Sequence, residues 1–333
     1  MTINDQTFMT STPYTIVTGA NGYLGSYICR ELINRGLPVI ALKYDHYASV
    51  IINHPLIEYA HCDITKEIRP QISASLTGKK VSALINAAAL LGSSDYEKNL
   101  SVNAGGVKNL LDFAREEGIT RFIQISSVVV IKTFKGPYGE TKLIGQQYVE
   151  NSGLDYTVFI PAMILGPEGL GINRILKNVF RFPVFVPLIG SGAQTQHPIY
   201  VKDFARYIVL SLNEQTAYRM VYQIASDRVI SFKDLIKLIL KIKGRKRIFV
   251  SFPASFARML GKFFQKTQKV PLFTAEHVKG VLQDSNLDTS LIRQDLGDHF
   301  TTLDEAVRQT LEVIGDNWDY YLKPREEKLI NLE

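Results

Sequence analysis

Short apolar runs alternate with helical patterns over the first 160 residues of the chain. The apolar runs predict strands at 14–20, 37–43, 57–63, 81–89, 120–130 and 154–162. Helical spacing predicts helices at 23–35, 95–117 and 138–151. Strands that are apolar throughout and alternate with helices are typical of parallel sheets covered on both faces. The pattern therefore predicts an α/β fold built on a doubly wound parallel sheet.

The alternation weakens after Pro161, because glycine and proline interrupt the chain at 165–192. Helical patterns return at about 202–213, 231–243 and 303–314. The last of these helices begins with a capping-box spacing, Thr302 followed by Glu305. We expect a sheet domain and a smaller, helix-rich lobe, with some segments of the lobe returning to the sheet. The expected bounds of the two domains are 1–165 and 166–333.

The composition is ordinary for a folded protein. Of 333 residues 46% are hydrophobic and 21% charged, and 38 basic against 32 acidic side chains give a net charge of +6. These values argue against intrinsic disorder. The chain has no run of roughly 18–20 apolar residues and no signal-peptide layout at its start. Cys29 and Cys62 are too few for a disulfide framework, and the histidines lack metal-ligand spacing. We expect a cytoplasmic protein without a metal centre.

The positive charge is concentrated in one segment. Residues 231–270 contain eleven Lys or Arg and one acid, Asp234, so this segment carries +10 and the rest of the chain −4. So local an excess does not indicate a nucleic-acid-binding protein. Within it, residues 254–266 have the spacing of an amphipathic helix. Its apolar side holds Phe256, Met259, Leu260, Phe263 and Phe264, and its basic side holds Arg258, Lys262 and Lys266.

Two interpretations of this basic helix remain open. A basic amphipathic helix can make weak peripheral contact with an anionic membrane. Alternatively, the helix packs its apolar side on the core and leaves its cations outside. We favour the second interpretation, because amphipathic spacing is typical of any surface helix.

The first predicted strand runs into the sequence TGANGYLGSYI, with glycines at 19, 22 and 25. Glycine permits a tight turn and lets the backbone approach a pyrophosphate, and the following helix presents free N–H groups to that anion. The triplet follows a strand and opens a helix, as a dinucleotide-binding motif requires. We therefore predict a Rossmann-type sheet that binds a dinucleotide; the alternative is a tight turn without a ligand. The loop residues expected at the cofactor are Gly19, Asn21, Gly22, Tyr23, Leu24 and Gly25.

Five motifs in order resemble the short-chain dehydrogenase/reductase superfamily, and most closely its extended, epimerase/dehydratase-like branch. They are TGANGYLG, Asp63 after the third strand, NAAA at 86–89, ISS at 125–127 and YGETK at 138–142. The likeness is strong over residues 1–165 and weaker through 186–205. It implies a Rossmann fold, an NAD(P) coenzyme and a small-molecule substrate bound by the C-terminal lobe, in a homodimer or a monomer.

The resemblance implies coenzyme contacts beyond the glycine loop. They are expected at Asp63, Ile64, Ala87, Ala88, Ala89, Pro161, Met163 and Ile164, and at the catalytic pair described below. The small side chains of Ala87 and Ala88 would let the backbone lie close to the coenzyme. For Asp63, an ordinary role in a turn is the alternative.

The end of the second strand bears on which dinucleotide binds. In dinucleotide folds an acid at this position holds the ribose 2′-hydroxyl and selects NAD. Here the position holds Lys43, a cation that suits a 2′-phosphate. We therefore prefer NADP over NAD. The alternative is that Lys43 is a solvated lysine and Asp45 takes the role of the acid.

Tyr138 and Lys142 lie four residues apart in a predicted helix, so their side chains share one face. A nearby ammonium favours the phenolate and would bring the pKa of the tyrosine down from about 10. Ser127 follows the fifth strand, at the edge where open α/β sheets bind ligands.

The resemblance gives these residues catalytic roles. It implies that Tyr138 transfers a proton while hydride passes between C4 of the nicotinamide and a carbonyl or carbinol carbon. It also implies that Ser127 polarises the reacting oxygen and that Lys142 holds the nicotinamide ribose. Asn103 matches an asparagine that helps to anchor a proton-relay water.

The substrate end departs from the family pattern. Members that act on nucleotide sugars often carry Arg, Asn and Tyr where this chain has Ile160, Met163 and Leu165, and a later Arg position holds Gln196. We expect an oxidoreductase or an epimerase, and we favour a ketone reductase. Its substrate would be a nucleotide-activated sugar or another phosphorylated or lipid-linked compound. Residues 270–287 are also similar to the nucleotide-binding accessory subunit group of complex I. That likeness supplies the alternative, an NADP-binding structural or assembly subunit without turnover.

Overall fold

Seven parallel strands form the central sheet of the computed structural model, which describes residues 12–44, 50–259, 275–317 and 328–332. In chain order these strands are β1 Tyr14–Thr18, β2 Val39–Lys43, β4 Ile57–His61, β5 Val81–Asn86, β6 Arg121–Ile125, β7 Asp155–Pro161 and β12 Met220–Ile224. They are arranged as β4–β2–β1–β5–β6–β7–β12, and every neighbouring pair is parallel. The winding reverses between β1 and β5, which confirms the predicted doubly wound, Rossmann-type α/β fold.

Helices cover both faces of the sheet. They are α1 Tyr23–Asn34, α2 Arg69–Leu76, α3 Tyr96–Leu100, α4 Gly106–Glu116, α5 Gly136–Glu150, α6 Leu170–Phe180, α7 Val201–Leu210, α8 Phe232–Ile242, α9 Ala275–Val281, α10 Ser290–Leu296 and α11 Leu303–Ile314. Successive residues of β1 enter different cores: Val17 packs with α1 and α7, and Ile16 packs with α4. The continuous apolar runs in the sequence are therefore strands that are buried on both faces.

In the described part of the chain, four two-stranded sheets lie outside the central one. They pair β3 Val50–Asn53 with β15 Lys328–Asn331, β8 Ile164–Leu165 with β11 Ile199–Tyr200, β9 Phe185–Ile189 with β14 Ile248–Phe252, and β10 Thr195–Gln196 with β13 Ile230–Ser231. The lobe beyond residue 165 also returns to the central sheet, because β12 pairs with β7. The predicted capping box is confirmed in part, since Thr302 Oγ1 accepts a hydrogen bond from Glu305 N, whereas the Glu305 carboxylate binds Arg308 and Gln309.

Two predicted elements are wrong in part. The long helix at 95–117 is divided by a π-helical turn, Ser101–Gly105, between α3 and α4. The strand at 120–130 ends at Ile125, and a 3₁₀ turn, Val128–Ile131, replaces its second half. The apolar pattern does not reveal that the strand ends at Ile125, because Val128 and Val130 are buried in the turn as they would be in a strand.

The favoured interpretation of the basic helix fails for the part that the structure describes. Residues 254–259 are helical, with Phe256 and Met259 exposed and Ala257 buried, so the larger apolar side chains do not pack on the core. Leu260, Lys262, Phe263, Phe264 and Lys266 lie outside the described residues. No helix within the described ranges combines the length and apolar character that crossing a bilayer requires. Cys29 and Cys62 are both buried and free.

Candidate active site

The glycine loop connects β1 to α1 at the carboxyl edge of the sheet. Gly19 has a φ of +61°, and a Cβ at Gly25 would lie 2.0 Å from the carbonyl oxygen of Gly19. A Cβ at Gly22 would lie 3.1 Å from the same oxygen. No side chain caps the N-terminus of α1, so its first-turn N–H groups remain available to an anion. This backbone fits a pyrophosphate, because the tight glycine turn leads directly into the uncapped first turn of α1.

The other predicted loop residues hold the loop in place. Asn21 Nδ2 donates to the carbonyl of Tyr44 (3.0 Å), and Tyr44 N donates to Asn21 Oδ1 (3.3 Å), which ties the loop to the end of β2. The hydroxyl of Tyr23 is buried without a partner among the described residues, and a Cβ at Gly166 would lie 2.2 Å from it. Leu24 packs into the core. These three side chains therefore hold the glycine loop in place through contacts with the surrounding protein.

Lys43, Asp63 and Ile64 lie where the ends of β2 and β4 reach the same edge. Lys43 is the last residue of β2 and is partly buried. Asp63 Oδ1 accepts hydrogen bonds from Thr65 N (3.0 Å) and Thr65 Oγ1 (2.7 Å), so its side chain has the turn role given above as the alternative. Ile64 packs so closely on α4 that a Cβ at Gly106 would lie 2.7 Å from its Cδ1. Asp45 lies outside the described residues.

The segment Ala87–Ala89 leaves β5 beside the glycine loop. A Cβ at Gly19 would lie 3.0 Å from Cα of Ala88, so the two backbones touch. Sequence reasoning missed the buried polar chain below them. Thr18 Oγ1 donates to Asn86 Oδ1 (2.6 Å), and Asn86 Nδ2 donates to Gln124 Oε1 (2.9 Å). One signal was a polar residue at the end of each of three apolar strands.

Asn103 lies on the π-helical turn and fixes the backbone opposite it. Its Oδ1 accepts a hydrogen bond from Leu90 N (2.9 Å), and its Nδ2 donates to the carbonyl of Leu90 (3.4 Å). A Cβ at Gly145 would lie 2.2 Å from the Asn103 carbonyl, so α5 packs tightly on this turn. The side chain of Asn103 is buried and positions the chain after β5 relative to the helix that carries Tyr138.

Ser127 and Tyr138 come together on the carboxyl side of β6. Burial raises the pKa of Tyr138 to about 12, and the nearby hydroxyl of Ser127 opposes part of that rise. The expected lowering of this pKa is therefore wrong for the protein chain by itself, because burial of the phenol outweighs every other influence on it.

Lys142 shares the buried face of α5 with the tyrosine. Its Nζ donates to the carbonyl of Ile125 at 2.6 Å, and only 3% of the residue is exposed. Burial lowers the pKa of Lys142 to about 8. The ammonium thus anchors α5 to the end of β6, the strand that leads to Ser127.

Pro161, Met163 and Ile164 lie at and just beyond the end of β7, on the same edge of the sheet. Pro161 is the last residue of β7, and the Met163 carbonyl accepts a hydrogen bond from Ile199 N at 2.9 Å. Ile164 begins β8. These residues therefore lie along the carboxyl edge, between the candidate catalytic residues and the C-terminal part of the chain.

Residues of the C-terminal part of the chain pack against the turn that follows Ser127. Val128, Ala225 and Leu287 make a small apolar cluster with Val129 and Ala162. Gln283 connects the C-terminal part of the chain to the loop before α5. Its Oε1 accepts a hydrogen bond from Phe134 N (2.8 Å), and its Nε2 donates to the Phe134 carbonyl (2.9 Å). Sequence reasoning missed this contact, which joins residues 149 positions apart.

Residues 15–225 match the model of the NAD dependent epimerase/dehydratase family. The match covers more than half of the chain, so the protein belongs to this family.

The chain is also similar to individual curated proteins. It is 24% identical to the 3 beta-hydroxysteroid dehydrogenase/Delta 5-->4-isomerase of Mycobacterium tuberculosis, over 89% of this chain and 88% of that protein. It is 25% identical to NADH dehydrogenase (ubiquinone) 1 alpha subcomplex subunit 9 of Arabidopsis thaliana mitochondria, over 84% of this chain and 72% of that protein. It spans 59% of the length of an uncharacterized protein, y4nG, of Sinorhizobium fredii, with 23% identity.

Solved structures show the same fold. The crystal structure of Bordetella bronchiseptica WbmH in complex with NAD+ matches with a TM-score of 0.70 and 19% identity, over 90% of this chain and 97% of that chain. The UDP-glucose 4-epimerase of Thermotoga maritima, solved with UDP-glucose, matches with a TM-score of 0.70 and 20% identity, over 93% of this chain and all of the other.

Replacement of Gly25 by alanine tests the fit of the loop. The new Cβ has no space beside the Gly19 carbonyl, so we expect Gly25→Ala to cost about 1–3 kcal/mol of stability and to weaken NADPH binding at least about tenfold. Thermal unfolding and fluorescence titration measure the two effects. The control is Gly280→Ala in α9, where a Cβ meets no atom within 4 Å. Unchanged NADPH binding in Gly25→Ala would contradict this account of the loop.

The lowered pKa of Lys142 predicts a dependence of stability on pH. The folded pKa of about 8 lies below the ordinary value, so the unfolded chain binds more protons here and the free energy of unfolding gains a contribution that rises with pH. The wild-type value minus that of Lys142→Met should rise by about 2 kcal/mol between about pH 7.5 and about pH 9.5. Urea unfolding measures the difference. A difference that stays constant or falls would show that Lys142 is not a buried, perturbed lysine.

Proposed function

We propose that the protein is an NAD(P)-dependent oxidoreductase that reduces a ketone. The proximity of Ser127 to Tyr138, on the same sheet edge as the glycine loop, is the observation that carries this proposal. Open α/β sheets bind ligands in the crevice outside the carboxyl ends of their strands, where the winding reverses. A coenzyme with its pyrophosphate on the glycine loop would extend along this edge from Lys43 toward Tyr138.

The protonation state of Tyr138 favours reduction. Since the pKa of its phenol is about 12, Tyr138 carries its proton at neutral pH and acts as a general acid toward an oxygen that gains negative charge. Ser127 orients the same oxygen by hydrogen bonding. The nicotinamide coenzyme supplies the hydride when it is bound.

Lys142 contributes charge and position to this step. Its buried ammonium stabilises negative charge on the phenolate once the proton has left, because a cation is more effective in surroundings that exclude water. Its bond to Ile125 keeps α5 close to β6, and through this contact it also positions Tyr138. A ribose hydroxyl of the coenzyme is the further partner that we assign to Lys142.

The substrate that we propose has an apolar part beside its ketone. Apolar side chains, Ile160, Met163 and Leu165, replace the residues with which many family members bind nucleotides. The steroid dehydrogenase of Mycobacterium tuberculosis supports an apolar substrate, whereas the UDP-glucose epimerase of Thermotoga maritima supports a nucleotide sugar. A lipid-linked or phosphorylated ketone satisfies both observations.

A binding role without turnover is the second candidate. The similarity to the complex I subunit of Arabidopsis thaliana, over 84% of this chain, favours it. The retained trio of Ser127, Tyr138 and Lys142 favours the enzyme, because a purely structural coenzyme site does not need a proton donor beside the nicotinamide.

Substitution of Tyr138 by phenylalanine separates these two candidates. We expect Tyr138→Phe to lower kcat by about 10²- to 10⁴-fold, because the general acid is lost, and to leave NADPH affinity within about twofold. The assay follows NADPH oxidation with a panel of steroid, lipid-linked and nucleotide-sugar ketones. Tyr148→Phe, an exposed tyrosine on the same helix, is the control. Undiminished turnover would remove Tyr138 from the mechanism, and tight NADPH binding without any turnover in the wild type would favour the structural subunit.

Lys43 determines the choice of coenzyme in this proposal. We infer that its ammonium, at the end of β2, binds the 2′-phosphate of NADP, so Lys43→Asp should weaken NADPH binding by about tenfold and leave NADH binding equal or stronger. Titration of both coenzymes against both proteins measures the shift. Lys98→Asp, on α3, controls for net charge. Tighter binding of NADH than of NADPH by the wild type would overturn the preference for NADP.

A further inference from the structure

The small sheet of β9 and β14 presents an apolar face to the outside. The parallel register pairs Phe185 with Ile248, Pro187 with Val250 and Ile189 with Phe252. Alternate residues of a strand point to opposite faces, so these six side chains share one face of the sheet. The opposite face holds the buried Val186 and Leu188. The outer face is exposed, since 65% of Ile248 and 37% of Phe252 are accessible.

The helical residues after β14 extend this face. The ring of Phe256 stacks on that of Phe252 with the centroids 6.4 Å apart. Phe256 is 42% exposed and Met259 is 59% exposed. We define the apolar face as Ile248, Val250, Phe252, Phe256 and Met259.

Cations border the apolar face. Arg245, Lys246 and Arg247 directly precede β14, and Arg258 lies between Phe256 and Met259 in the helical residues; these four cations are the basic rim. Beside the rim lies a cavity of about 330 Å³ that is lined by Phe180, Lys243, Arg245, Arg247 and Asp316. Asp316 pairs with Lys243 at 3.3 Å. Among the described residues no carboxylate forms a salt bridge with Arg245 or Arg247, so the border keeps a net positive charge.

We propose that this face docks the protein on an anionic lipid membrane. Exposed aliphatic and aromatic side chains gain free energy when they enter the interfacial region of a bilayer, and a surrounding ring of Lys and Arg is attracted to acidic headgroups. The sequence supports the match in charge, because residues 235–275 contain ten Lys or Arg and no acid. The inference is independent of the proposed reaction.

The surroundings of the face favour a membrane over other occupants. A second copy of this chain, docked face to face, would bring two basic rims together, and like charges at an interface oppose association. Single-stranded nucleic acid binds by stacking its bases on aromatic rings. The two most exposed side chains of this face, Ile248 and Met259, are instead not aromatic.

Flotation with lipid vesicles tests the proposal on the full chain. We expect the protein to float with phosphatidylcholine vesicles that contain phosphatidylglycerol at low salt, and much less with phosphatidylcholine alone. Binding should weaken in about 1 M salt, where the Debye length falls to about 3 Å. The double variant Ile248→Ser/Phe252→Ser removes apolar contacts, and Lys246→Glu reverses one charge of the rim. Each should weaken binding by about fivefold or more.

Two control variants and three outcomes decide the result. Leu329→Ser on β15 and Lys108→Glu on α4 change exposed residues in other elements and should float like the wild type. The absence of flotation with anionic vesicles at low salt would overturn the proposal. Undiminished flotation of both test variants would overturn it as well. A concentration-dependent dimer in sedimentation that Ile248→Ser/Phe252→Ser abolishes, without vesicle binding, would assign the face to a second copy of the chain.

Discussion

The close contact between the Gly19 carbonyl and the backbone of Gly25 is the constraint on which the rest of the site depends. A side chain at residue 25 would push α1 away from β1, because the space of its Cβ is filled by backbone. The contact sets the direction of α1, whose uncapped N-terminus then faces the crevice between β1 and β5. Hydrogen bonds of Asn21 extend this order to the end of β2. A tight backbone turn thus defines where an anion can bind.

Buried polar contacts carry this order across the sheet to the catalytic side. Thr18, Asn86 and Gln124 link the ends of β1, β5 and β6, and each would be costly to bury without its partner. Lys142 then joins α5 to the carbonyl of Ile125, at the end of the same β6. These hydrogen bonds therefore connect the strand that precedes the glycine loop with the helix that carries Tyr138, the residue to which we assign proton transfer. Such rigidity suits hydride transfer, which requires close and fixed approach of its reactants.

Local patterns were enough to predict β1, the glycine loop and α1. They also placed Tyr138 and Lys142 on one helix. Each of these depends on residues that are close in the sequence. The π-helical turn at 101–105 could not be predicted in this way, because apolar spacing does not distinguish one helical turn from another. The early end of β6 was missed because a 3₁₀ turn buries its valines as a strand would. Periodicity therefore identified the elements better than it located their ends.

Contacts between distant segments account for the remaining differences. The pairing of β9 with β14 joins segments about 60 residues apart, and Gln283 reaches Phe134 from the far end of the chain. Neither pairing leaves a local signature, although both shape surfaces beside the site. The raised pKa of Tyr138 has the same origin, since burial by several elements decides its sign. Spacing placed Lys142 and Tyr138 on one helix but could not reveal that the Lys142 ammonium donates to a strand carbonyl.

A crystal structure of the protein with bound NADPH tests the central claim most directly. The account predicts that pyrophosphate oxygens accept hydrogen bonds from the N–H groups of residues 23–25, and that C4 of the nicotinamide faces the hydroxyl of Tyr138. Coenzyme bound elsewhere on the chain, or a nicotinamide ring turned away from that hydroxyl, would contradict the account.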